Sequence, residues 1–191
     1  MLKQLSKTEI HHLQENALWV IMDPWFKQSE SPVYHQSDQV MPGIDIDSWN
    51  KIWADKIVEY LPQVKNWLVV CDIGHHVRDT LSDIPMPIDP RFSHLPIVEH
   101  RYLKKNMIID YLPEGCDSIV YTGFHETMCV LHRNWIGYHK INTENDIHLD
   151  KYIALELTCY WPSPVKETRL GRQDQRRDPD YKYIRVLDDI K

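Results

Sequence analysis

Three short runs, apolar almost throughout, set the frame of the chain. Ala17-Leu18-Trp19-Val20-Ile21-Met22 stops at Asp23-Pro24, Trp67-Leu68-Val69-Val70-Cys71 stops at Asp72, and Ser118-Ile119-Val120-Tyr121-Thr122 runs into Gly123. Runs of this length without polar alternation fit strands covered on both faces, as in a parallel sheet between helices. Between the first two, Asp47 or Ser48 can cap a helix reaching roughly Tyr60, with Trp49, Ile52, Trp53, Ile57 and Tyr60 on one stripe and Pro62 at its end. Strand, helix and strand in this order make a right-handed βαβ unit. A third strand is expected over Ile97 to His100, and a short helix over Asn106 to Leu112, closed by Pro113-Glu114-Gly115. After Gly123 a helix begins near Glu126 or Thr127. Further strands are expected near Tyr138 to Asn142 and over Tyr152 to Tyr160.

The connecting segments are polar or rich in proline. Residues Lys27 to Gly43 read as a long loop, and so does Ser82 to Pro96 with Pro85, Pro87, Pro90 and Pro96. From Pro162 the composition changes, with Arg172, Arg176 and Arg177 close together and Tyr181 to Leu187 read as a strand or an arm. The expected organisation is one α/β domain over residues 1–161, followed by a charged extension or arm over 162–191 that reaches a subunit contact. The expected architecture is three-layered and doubly wound, of Rossmann type, around a mainly parallel sheet.

Bulk properties remove several function classes. The chain has 191 residues, 42% of them hydrophobic and 26% charged, which suits a single globular domain with a real core. A net charge of −6 gives no electrostatic reason to expect a nucleic acid or an anionic membrane as partner. The longest apolar run, Ala17 to Met22, is far short of a membrane span, and the first residues lack the apolar core of a secretory signal. Four cysteines (Cys71, Cys116, Cys129 and Cys159) do not make a disulfide scaffold in a chain of this size. A reducing cytoplasm is the expected location, and each cysteine is judged as a free thiol. Seven tryptophans and ten tyrosines against six glycines imply bulky packing or an aromatic interface.

In an open parallel sheet, ligands gather beyond the carboxyl ends of the strands, near the point where strand order reverses. Asp23 follows the first strand there, and the turn Gly123-Phe124-His125-Glu126-Thr127-Met128-Cys129 follows the last of the three runs. A glycine directly after a buried strand lets the backbone reverse tightly. Cys129 then falls in the first turn of the next helix, where unpaired N–H groups and the helix dipole favour a thiolate and can hold an oxyanion. Asp23 is a candidate base for that thiol, although Asp-Pro after a strand is also ordinary turn chemistry. Trp25, Phe124, His125 and Glu126 are candidate substrate-binding residues; core packing for the aromatic side chains, and stabilisation of a helix start for Glu126, are the competing readings.

These residues resemble those of the isochorismatase-like cysteine hydrolases, a family that includes nicotinamidases, N-carbamoyl amidohydrolases and isochorismatases. Leu18 to Asp23 match the family's opening strand and its aspartate. Gly123, Cys129 and Val130 match its later strand-ending glycine, the cysteine six positions on and the valine beside it. Gly137 and Asp146 resemble the connection that follows, so the likeness runs from about Ala17 to Asp146. Three departures stand out. Glu126 and Thr127 stand where the family has a threonine three residues after the glycine, and Trp25 stands where it has a glutamine. The third member of the family's triad is a lysine just after the third strand. His100 occupies that place here, with Lys104 and Lys105 a turn further on.

The resemblance implies a hydrolase acting on a C–N bond of a small amide, with Cys129 as nucleophile, Asp23 as base, and Lys104 or alternatively His100 as third member. No cofactor is expected. Asp72 and His75 lie where nicotinamidases bind a divalent metal, but adjacent His75 and His76 do not reproduce that ligand spacing. The expected partners are a small-molecule substrate and further copies of the chain, as a dimer or tetramer, with no nucleic acid and no membrane. The competing class is a fold relative that has lost the triad and serves as a binding or assembly module. Vinyl-ether hydrolysis of the isochorismate type is a third possibility; relatives that perform it can work without a cysteine, so Cys129 speaks against it.

Overall fold

The structure, a computed structural model, describes residues 2–24, 26, 46–71, 88–123, 130–159 and 181–187. Seven strands form one sheet: β1 (Leu2–Lys3), β2 (Leu18–Met22), β3 (Trp67–Cys71), β4 (Ile97–Glu99), β5 (Ser118–Gly123), β6 (Asp150–Thr158) and β7 (Tyr183–Ile184). Their order is β1-β7-β6-β5-β2-β3-β4, and every neighbouring pair is parallel. Apart from the short β1, this is the doubly wound order in which the chain leaves the centre in both directions. The reversal point lies between β2 and β5, where Met22 stands opposite Gly123.

All residues of β2, β3 and β5 are buried, as their apolar runs predict. Successive side chains feed two cores on opposite faces. Trp19, Ile21, Trp67, Val69 and Val120 pack with Trp53, Ile57 and Tyr60 of α2 (Ile46–Tyr60) and with Leu13 of α1 (Lys7–Asn16). Leu18, Val20, Leu68, Val70 and Tyr121 pack on the other face with Ile108, Leu131, Ile136 and Ile141. Ile108 belongs to a 3-10 turn over Met107–Tyr111, and Ile141 opens α3 (Ile141–Glu144). The three layers expected from the sequence are therefore present.

Several local expectations change. α1 has no counterpart in the apolar pattern. It is announced by a capping box instead: the Ser6 side chain accepts from the Glu9 backbone N–H, and the Glu9 carboxylate accepts from the Ser6 N–H at 2.8 Å. Ile52, placed on the buried stripe of α2, is 58% exposed. The strand expected over Tyr138 to Asn142 is a turn followed by α3, because the Tyr138 N–H turns back to the Val130 carbonyl and the Ile141 N–H donates to Gly137 in helical fashion. The helix expected over Asn106 to Leu112 is the tighter 3-10 turn, entered through Asn106 at φ 67°. At the end of the chain, Tyr183–Ile184 is a strand inside the sheet, between β6 and β1.

Residues 185–187 are held to the sheet by Glu156 of β6, whose carboxylate accepts the Val186 N–H at 3.1 Å. Burial is the main cause that pushes the Glu156 carboxyl above its ordinary range, against smaller lowering by that hydrogen bond and by Arg185. A carboxyl raised by folding contributes stability in acid and loses it as pH rises through its folded value. Glu156→Gln keeps an accepting oxygen and removes the titration. Urea denaturation should show the variant gaining stability relative to the parent as pH rises above the ordinary carboxyl range; a constant difference would contradict this reading.

A second tether pins the segment before β4. Asp89 is only 2% exposed, and its carboxylate is gripped by the Arg91 guanidinium at 2.6–3.1 Å, while Arg91 also reaches Asp55 on α2. Both carboxylates raise the Arg91 guanidinium further above its ordinary value, Asp89 most. Arg91→Met would leave the Asp89 charge buried without its partner. Allowing for the partial exposure of Arg91, a loss of about 2–3 kcal/mol is expected in chemical denaturation.

Candidate active site

The reversal point is built from the ends of β2 and β5. Thr122 donates its hydroxyl to the Val20 carbonyl at 3.0 Å, fastening the two strands just below the site. A side chain at Gly123 would put its Cβ 2.8 Å from Val130 Cγ2 and 2.9 Å from Met22 Cβ. Val130 therefore seats directly on the glycine, and only glycine admits that approach. Beside it the β5–β6 pairing shifts, with Tyr121 opposite Ile153 but Gly123 opposite Thr158, and the Cys159 N–H donates to the Gly123 carbonyl at 2.8 Å. Such a bulge re-aims the strand end at a point where regular pairing is not needed.

Asp23 leaves β2 with a left-handed backbone, φ 49°, and is fully buried. This conformation is costly for a residue with a side chain and is tolerated best by Asp and Asn. It is held by the Asp23 N–H donating to the Val70 carbonyl at 2.9 Å, and by the Asp89 N–H donating to the Pro24 carbonyl at 2.8 Å. The carboxylate forms an ion pair with Arg133, whose Nη2 donates to Oδ2 and whose side chain is only 14% exposed. Gly137 fixes the backbone of Arg133. Its N–H donates to the Arg133 carbonyl at 2.6 Å, and a Cβ on it would lie 2.5 Å from the Arg133 nitrogen.

No family model matches the chain, and no curated protein matches it. Among solved structures, an isochorismatase-like hydrolase from Alkaliphilus metalliredigens is similar over 90% of this chain and 95% of its own, with a TM-score of 0.55 and 11% identity. The chain has an isochorismatase-like α/β fold. At that identity the likeness concerns the path of the backbone, and the chemistry has to be argued from this chain's own residues.

Of the residues expected at the site, Asp23 directly follows Met22, which stands opposite Gly123 at the reversal point. Cys129, Phe124, His125 and Glu126 lie outside the described residues, as do Trp25, Asp72 and His75. His100 is half-buried in a 3-10 turn (His100–Tyr102) at the carboxyl end of β4, the edge strand two positions from β2. Lys104 is exposed after that turn. Lys105 pairs with Asp146 at 2.9 Å, and the Asn106 N–H donates to Asn145 at 2.7 Å. Sequence reasoning passed over Arg133. Its signal was a cation four residues after Cys129. Among the described residues no group of three or more histidine, cysteine, aspartate or glutamate side chains could hold a metal ion, and no helix is long and apolar enough to cross a membrane.

Proposed function

We propose that the protein is a cysteine hydrolase acting on a C–N bond of a small amide. The observation that carries this reading is the convergence of the ends of β2 and β5 at the reversal point, where Met22, next to Asp23, stands opposite Gly123 and Val130, the neighbour of Cys129, seats on the glycine. The Cys129 thiol gives its proton to Asp23 and the sulfur attacks the amide carbonyl. Backbone N–H groups of the turn before the helix stabilise the oxyanion. The C–N bond then breaks, the amine leaves with the proton, and water splits the thioester into a carboxylic acid and the free thiol. Lys104 or His100 assists by holding charged intermediates.

Iodoacetamide labelling of the four thiols against pH, read by mass spectrometry, tests the activation that this chemistry requires. Cys129 is expected to react fastest, with an inflection below the ordinary thiol value of about 8.5. Cys71 is fully buried, and burial pushes the Cys116 thiol up, so Cys159 is the informative comparator. Asp23→Asn and Lys104→Ala should each change the Cys129 profile, and Cys129→Ala should abolish turnover of any small amide found by screening. Equal labelling of Cys129 and Cys159 would remove the support for a hydrolase.

One observation favours the assembly reading alongside. Ile97, Tyr102, Ile109 and Tyr111 are 37–58% exposed in a single stretch that starts on the edge strand β4. Large apolar side chains concentrated on a sheet edge suit a contact with another copy of the chain. Sedimentation of the parent against Tyr102→Lys and Ile109→Lys reads this directly, with dissociation expected on substitution.

A further inference from the structure

We infer that Arg133 is the positioning residue of this site, clamping the Asp23 carboxylate and supplying a permanent positive charge beside it. The inference rests on the hydrolase reading and deepens it. Three observations carry it. Asp23 is fully buried in a left-handed backbone conformation, so its carboxylate is aimed by the fold rather than by solvent. Its charge is met by a guanidinium that is itself nearly buried and that comes from 110 residues away in sequence. The turn presenting that guanidinium is fixed at both ends, by Gly137 against the Arg133 backbone and by the Tyr138 and His139 N–H groups donating to Val130 and Leu131. Asp89, whose backbone N–H donates to the Pro24 carbonyl, has its own carboxylate taken up by Arg91.

The choice of arginine has a chemical consequence. A guanidinium stays charged at every working pH and presents a rigid fork, whereas an ammonium can lose its proton and swing. Arg133 therefore orients Asp23 and offsets negative charge during acyl transfer, but takes no part in moving the proton. That task stays with Asp23. Arg133 is supplied by the segment immediately after Cys129, so nucleophile and cation are carried by one continuous stretch of chain.

The test is the pH profile of Cys129 alkylation in the parent, Arg133→Met, Arg133→Lys and Asp23→Asn, with thermal melts of each. Removing the cation should raise the Cys129 inflection by about one pH unit, slowing labelling at neutral pH about tenfold. Arg133→Lys, which keeps the charge, should restore most of the parent profile even where Arg133→Met folds poorly. Asp23→Asn should move the inflection the other way, since it leaves the cation without its counter-charge. An activated Cys129 in the parent, with profiles unchanged in both Arg133 variants, overturns the role given to Arg133 and leaves the hydrolase reading standing. An ordinary Cys129 profile in the parent overturns both. A lower melting temperature with an unmoved inflection marks Arg133 as a structural residue only, and likewise overturns the inference.

Discussion

Trp19→Ala should cost about 3–5 kcal/mol, enough to consume much of the stability of a domain this size. Trp19 is fully buried in the central strand β2 and is among the largest buried side chains. Its indole N–H donates to the Leu13 carbonyl at 2.8 Å, so the ring also ties the sheet to the end of α1. Its ring lies 5.4 Å from that of Tyr60 and 5.5 Å, edge-on, from that of Trp67. Removing it opens a cavity between two aromatic neighbours and takes one of two donors from the Leu13 carbonyl, which also accepts from the Ala17 N–H. Trp19→Phe separates the two effects: it keeps most of the ring volume and loses only the hydrogen bond. A loss of about 1 kcal/mol is expected for it by urea denaturation, roughly the net contribution of one hydrogen bond, since the Leu13 carbonyl keeps the Ala17 N–H. Equal losses in the two variants would mean that packing contributes little at this position.

Breaking the Asp23–Arg133 pair should be the second large effect. Arg133→Met removes a guanidinium from a fully buried carboxylate, a change that costs about 3–5 kcal/mol in comparable settings. Replacing both partners, as in Asp23→Asn with Arg133→Met, should recover part of that loss, because no uncompensated charge remains. The double-mutant cycle measures the coupling. A double variant as unstable as the sum of the single ones would show that each residue acts through other contacts.

The legible part of the fold was the part whose signal is local. β2, β3 and β5 are buried on both faces, and burial on both faces is written as an unbroken apolar run. α2 carries Trp53, Ile57 and Tyr60 at helical spacing, and they are buried. α1 was not legible from apolar pattern because it buries only Leu13 completely; its capping residues are a weaker, shorter sign. The segment from Tyr138 was misread because Tyr138 and Ile141 favour a strand when taken alone. Gly137, pressed against the Arg133 backbone, turns the chain there instead.

The site divides in the same way. Asp23 and Gly123 could be found because each sits directly after a run that declares itself. The partnership of Asp23 with Arg133 could not, since it joins positions 110 residues apart and depends on the turn at Gly137. The spacing of Cys129 and Arg133 was visible, but nothing in the sequence said which carboxylate the arginine would meet.

The outer edge of the sheet has a consequence for how the chain matures. Leu2–Lys3 pair with Tyr183–Ile184, and those two residues also pair with β6. During synthesis β1 emerges well before β7, and it stays unpaired until β7 has been made. The central strands can assemble meanwhile, and this edge closes after them. Removing residues at the start should therefore loosen the end, and a nascent chain halted before Tyr183 should carry its first strand unpaired.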